Sequence, residues 1–164
     1  MEHIEEVPSA DAVVVFSAHG INRQILAEAQ QRFKAVYNLE CPFVSRIYTE
    51  AQSYLKQGIT HFIYIGKANH QEGKNVVEYI RSQGANVDVI LSEEEIKNLT
   101  LPNVFAVLSQ TTLNFAQVES LLTYIKTTYP QAVLPKISDV CRATYERQTV
   151  IQTSLDKFDT LTVI

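Results

Sequence analysis

A chain of 164 residues that is 46% hydrophobic and 20% charged has the composition of an ordinary globular protein, one or at most two domains with room for a real core. Fourteen basic against eighteen acidic residues leave a net charge of -4, which argues against nucleic acid as a partner, because such domains carry a basic excess on one face. No apolar run nears the roughly 18 residues of a membrane span, and the acidic start Met1-Glu2-His3-Ile4-Glu5-Glu6 lacks the basic and apolar regions of a signal peptide, so the expectation is a cytoplasmic protein with no membrane partner.

Short β-branched apolar runs alternate with longer amphipathic segments. Ala12–Phe16 reads as a strand, followed by the polar loop Ser17-Ala18-His19-Gly20. Asn22 then reads as a helix N-cap, with Ile25, Leu26, Ala29 and Phe33 at helical spacing. The short run Ala35-Val36-Tyr37 leads to Cys41-Pro42, where Pro42 can open a helix whose stripe Val44, Ile47, Ala51, Tyr54 and Leu55 stops at Gly58. His61–Ile65 is the third run, closing on Gly66-Lys67-Ala68-Asn69-His70-Gln71-Glu72 before a helix through Val76, Val77 and Ile80. A strand at Val87–Leu91 precedes Ser92-Glu93-Glu94-Glu95, the pattern of a capping box. Val104–Leu108 then runs into Ser109-Gln110-Thr111-Thr112, and helical spacing resumes at Val118, Leu121, Leu122 and Ile125. Ala132-Val133-Leu134 is a weaker strand signal before Asp139-Val140-Cys141, a helix over 142–157 and a last apolar run, Leu161–Ile164. Strand and helix alternating at this spacing predict an α/β fold of parallel sheets flanked by helices.

In open parallel sheets ligands bind beyond the carboxyl ends of the strands. His19, His70 and Thr111 each follow a strong strand, and Cys41 and Cys141 follow weaker ones, so strands sharing a direction gather all five on one rim. A weak repeat of strand and polar loop, ending near 16, 65 and 108, supports that arrangement. Taken singly, His19 or Thr111 reads first as a loop residue capping the next helix. Histidines and hydroxyls at helix starts suit an anionic ligand, because free backbone N–H groups and the helix dipole favour negative charge there. The two cysteines fit either buried small apolar residues or thiolates lent to a soft metal. They are too few for a closed zinc site, and no CxxC is present. Glu72 reads as a first-turn carboxylate facing the helix dipole or as a proton donor beside a bound substrate.

Taken together, the loops resemble an ordered motif series. Phe16-Ser17-Ala18-His19-Gly20, Cys41-Pro42, Asn69-His70-Gln71-Glu72, Ser109-Gln110-Thr111-Thr112-Leu113 and Asp139-Val140-Cys141-Arg142-Ala143-Thr144, with Arg147-Gln148, are similar to the motifs of the 4-hydroxy-3-methylbut-2-enyl diphosphate reductases, the LytB-type iron–sulfur enzymes that end the non-mevalonate isoprenoid pathway. The resemblance implies a fold of three α/β lobes around a [4Fe-4S] cluster, one cysteine from each lobe. It divides this chain into the end of the first lobe (1–40), a complete second lobe (41–137) and the start of the third (138–164). It assigns Cys41 and Cys141 to the cluster, His19 and His70 to the substrate diphosphate, Thr111 to the substrate hydroxyl and Glu72 to proton delivery. The implied reaction is reductive dehydroxylation of an allylic diphosphate to isopentenyl and dimethylallyl diphosphate. Its implied partners are the small-molecule substrate and an electron-donor protein of the ferredoxin or flavodoxin type, and its setting is cytoplasmic, or plastid in a plant or alga.

The sequence also departs from the family. The Gly-Phe-Cys segment carrying the first cluster cysteine and the later Ser/Asn-rich diphosphate loop are not in these residues, so the third cysteine ligand is absent from this chain. Lys67 stands where a histidine is usual, and Gln71 and Gly73 replace Pro and Val around Glu72. A diverged, non-catalytic anion-binding or interaction module is the alternative reading.

Overall fold

The computed structural model describes residues 4–136, 138–160 and 162. Two parallel sheets carry the chain. In the first, β1 (Val13–Phe16) pairs with β2 (Ala35–Asn38) across α1 (Arg23–Arg32). In the second, β3 (His61–Ile65) lies between β4 (Asn86–Ile90) and β5 (Ala106–Ser109). The connecting helices are α2 (Pro42–Lys56), α3 (Gln71–Ser82), α4 (Glu93–Lys97) and α5 (Phe115–Thr128), and α6 (Arg142–Ser154) follows. The strands are parallel because each pair is joined through a helix rather than a tight turn.

The alternation of side chains along β3 divides the core in two. Phe62 and Tyr64 point to the face covered by α2 and α3, where they meet Val44, Ile47, Ala51, Val76 and Ile80. Ile63 and Ile65 point to the opposite face and pack with Ile96 of α4 and with Val118, Leu121 and Ile125 of α5. A third, smaller cluster joins Val14 and Phe16 of β1 to Ile21, Ala29 and Phe33.

The helix starts follow the predicted chemistry. Asn22 accepts from the Gln24 amide at 2.8 Å, and Ser92 and Glu95 form a reciprocal capping box at the head of α4. Several boundaries move. The strand expected at 104–108 is Ala106–Ser109, because Phe105 is a core side chain outside the ladder and Val104 is exposed. The expected strand around Ala132–Leu134 is one parallel bridge, Val133 to Ala106. The helix expected over 142–157 ends at Ser154 and tightens into a 3-10 turn over Leu155–Lys157. The apolar run Leu161–Ile164 lies outside the described residues except for Thr162.

Candidate functional site

The site follows from where the chain leaves the sheet. After β3 it turns into α3 on one face, and after β5 it turns into α5 on the other. Neighbouring strands whose helices diverge in this way open a crevice between their carboxyl ends. Glu72, from the β3 exit, and Thr111, from the β5 exit, meet there. Glu72 is the second residue of α3 and 1% exposed. Its Oε1 accepts the Thr111 amide and its Oε2 accepts the Thr111 hydroxyl, both at 2.7 Å, while the Tyr64 hydroxyl stands 3.5 Å from Oε1. Glu72 therefore reaches across the sheet to β5 from the first turn of its own helix. Burial pushes its pKa up, against the opposing pull of the Thr111 hydrogen bonds and nearby His70. Such a carboxyl tends to keep a proton that a solvent-exposed glutamate would lose.

Close packing brings Glu72 into place. A Cβ on Gly73 would sit 3.1 Å from both the Lys67 carbonyl oxygen and Tyr64 Cε1, so glycine lets the first turn of α3 settle onto the Tyr64 ring. Gln110, also buried, fixes the neighbouring loop by accepting the Lys67 amide at 3.0 Å through Oε1.

His70 is the N-cap residue of α3 but makes no capping bond with its side chain. Its Nδ1 is buried and has no protein partner. The ring of His19, exposed in the loop after β1, stands edge-on to it with centroids 6.0 Å apart. The His19 loop is held from both sides. The Gly20 carbonyl accepts Nδ2 of buried Asn75 at 3.1 Å, and the Ala18 carbonyl accepts the Cys41 amide at 3.0 Å. Gly20 itself lies at φ +82, a conformation glycine adopts without strain.

Cys41 and Cys141 are half-buried free thiols at the N-caps of α2 and α6. The Cys41 side chain makes no capping bond. The Cys141 Sγ accepts from the Thr144 amide at 3.3 Å and lies 2.9 Å from the Thr144 hydroxyl, while the Cys141 amide donates to the Thr111 carbonyl at 2.9 Å. No group of three His, Cys, Asp or Glu side chains that could hold a metal ion exists among the described residues.

All the residues singled out from the sequence thus lie at strand exits or are tied to one. His19 meets His70, Glu72 meets Thr111, and the backbone of each cysteine turn is fastened to one of those loops. Other members of the neighbourhood were not legible. Asp139 is fully buried, its Oδ2 accepts the Ser109 amide at 2.7 Å, and burial lifts its pKa to about 7. Arg46, Asn75 and Gln110 likewise act through partners far away in the chain; Gln110 lies inside the Ser109–Leu113 motif, and Arg46 and Asn75 lie five and three residues beyond Cys41 and Glu72.

The sequence profile of the family described as LytB protein matches residues 1–164. A relative from Chromohalobacter salexigens is 30% identical over 167 residues, and one from Acinetobacter baylyi is 29% identical over 167; both are named 4-hydroxy-3-methylbut-2-enyl diphosphate reductase. Each alignment takes in 100% of this chain and 52% of the relative, so the chain spans about half the length of the curated relatives it matches. Among solved structures, the E-1-hydroxy-2-methyl-but-2-enyl-4-diphosphate reductase of Plasmodium falciparum superposes with a TM-score of 0.82 at 22% identity, over 96% of this chain and 48% of that one. A second structure, described as (E)-4-hydroxy-3-methyl-but-2-enyl diphosphate reductase, the terminal enzyme of the non-mevalonate pathway, gives 0.71 at 20% identity, over 90% and 51%. At these identities the two structures establish the shared α/β fold.

Proposed function

Because the chain belongs to the LytB protein family, we propose that it carries part of the machinery for reductive removal of the hydroxyl from 4-hydroxy-3-methylbut-2-enyl diphosphate, yielding isopentenyl and dimethylallyl diphosphate. The observation that carries this reading is the buried Glu72 carboxyl, held by both polar groups of Thr111 at the β3–β5 crevice. His70, with its free Nδ1, and His19 beside it are the diphosphate-binding groups, as charge-assisted donors worth about 1.5–3 kcal/mol each. Thr111 orients the substrate hydroxyl, and Glu72 delivers the proton that leaves with it as water. The lobe division at 41 and 138 belongs to the same reading.

The reaction also needs two electrons and a second proton, which completes the new C–H bond; a [4Fe-4S] cluster, when bound, would pass on the electrons one at a time from a donor protein. Cys41 and Cys141 suit it as soft thiolate donors at helix N-termini, two of the three or four ligands such a cluster takes. An electron-donor protein of the ferredoxin or flavodoxin type and a cytoplasmic or plastid setting go with this chemistry. No helix among the described residues is long and apolar enough to cross a membrane.

Isothermal titration with isopentenyl diphosphate, together with turnover after anaerobic loading with iron and sulfide, tests the reading. His70→Ala should weaken binding roughly tenfold or more, at about 1.4 kcal/mol per decade. In a chain completed with the first-cysteine and Ser/Asn-rich segments, Glu72→Gln should leave binding nearly unchanged and lower turnover by about 10²–10⁴. Diphosphate binding that ignores His19 and His70 would sink the assignment. Binding that depends on them, with no iron retained, would favour the non-catalytic anion-binding module.

A further inference from the structure

One guanidinium spans the distance between the two cysteine turns. Arg46 lies on α2, five residues beyond Cys41, and its Nη2 donates to the Ser138 carbonyl at 2.6 Å and stands 3.5 Å from Asp139 Oδ1. Asp139 is two residues before Cys141. Its other oxygen is taken by the Ser109 amide at the end of β5. Arg46 thus ties the helix that Cys41 caps to the segment that delivers Cys141, and Asp139 ties that segment to the sheet. The Asp139 carboxyl is fully buried and the Arg46 side chain 27% exposed. A desolvated pair of this kind contributes little net stability, and its better-attested value is in specifying one geometry over others. Arg46 also lies 3.8 Å from Glu50 on its own helix, a contact that does not cross to the Cys141 segment.

We propose that Arg46 and Asp139 are positioning residues that fix Cys41 and Cys141 relative to one another, so that the two thiols face a shared ligand in a single geometry. The proposal rests on the reading of both cysteines as ligands of one group, but its test needs neither iron nor substrate.

Cys41 and Cys141 are the chain's two cysteines, so nitroxide labels on both report their separation directly by pulsed electron paramagnetic resonance. The unmodified chain should give one narrow distance distribution. Arg46→Met should shift and broaden it, Asp139→Asn should do so in the same sense, and Arg46→Lys should restore part of the narrowness, because an ammonium can still reach one of the two acceptors. Glu50→Gln should leave the distribution unchanged. Arg46 is partly exposed, so its replacement keeps the test intact even where Asp139→Asn fails to fold; circular dichroism confirms the fold of each variant. A wild-type distribution as broad as that of Arg46→Met, or a folded Arg46→Met with the wild-type distribution, overturns the proposal. Failure to bind iron with the distance effect intact would instead overturn the cluster reading and leave the strut standing.

Discussion

The β1–β2 sheet and the β3–β4–β5 sheet begin from the same kind of sequence, β-branched runs separated by helices, and end in opposite states of burial. Residues Phe62–Ile65 and Ala106–Ser109 are buried on both faces, because α2 and α3 cover one side and α4 and α5 the other. In β1, Val14 and Phe16 are buried, while Val13 is 61% and Val15 57% exposed. Tyr37 and Leu39, at and just beyond β2, are exposed as well, and a cavity of about 530 Å³ runs along β1 past Val13, Val15 and Ser17. The apolar runs differ little. What differs is the presence of a second helical layer, which periodicity within one segment does not report.

Replacing one residue in each sheet tests the contrast most severely. Phe62→Ala should cost about 3–5 kcal/mol in urea unfolding, as for other fully buried phenylalanines. Val15→Ala should cost under about 1 kcal/mol, the span of strand propensity. An equal loss at both positions would mean that the outer face of β1 is covered in solution.

pH should act through the β3–β5 side. Burial raises the Glu72 pKa above its ordinary 4.5, so the folded state holds this proton more tightly than the unfolded chain. The stability this group contributes is greatest in its protonated form, falls as pH rises from about 4.5 through the raised folded value, and then levels off. Measured by urea unfolding between pH 4 and 8, the wild type should therefore lose stability relative to Glu72→Gln over that window. Asp139, raised to about 7 by burial, acts in the same sense in both proteins and cancels in the difference. A flat difference would show that folding leaves the Glu72 pKa unshifted.

A more local effect lies at the junction. Asn75→Ala removes the hydrogen bond to the Gly20 carbonyl and should cost about 1 kcal/mol. In native-state hydrogen exchange the loss of protection should fall on β1 and β2 and spare β3. Equal loss in both sheets would mean that they open as one unit.

The ease of reading each part from the sequence has a physical basis. Asn22, Ser92 and Glu95 announce helix starts because capping is satisfied within three residues. β3 is legible because Phe62–Ile65 are buried without a break. The edges of β5 are hard to place because Val104 and Phe105 continue the apolar run ahead of Ala106, the first residue with a β3 partner, and the division into two sheets is invisible because residue types do not name a strand's neighbour. Glu72 could be singled out, but its partner Thr111 is 39 residues away and its burial depends on β5. Asp139, though part of a motif, and Arg46 have partners 30 and 92 residues away, so their burial and pairing are not written in their own segments.

The central place of β3 also sets an order of assembly. Its register with β4 joins residues 25 apart, His61 with Asn86, whereas its register with β5 joins residues 44 apart, Phe62 with Ala106. Shorter loops close at lower entropic cost, so the β3–α3–β4 unit is expected to form in the folding transition state and β5 to dock afterwards. Val87→Ala should then mainly slow folding and Val107→Ala mainly speed unfolding, and the reverse pattern in stopped-flow kinetics would invert the order. Until β5 arrives, Glu72 remains in water as an ordinary carboxylate. The docking that completes the sheet is the same event that dries its carboxyl, so the raised pKa of Glu72 comes into being with the last strand.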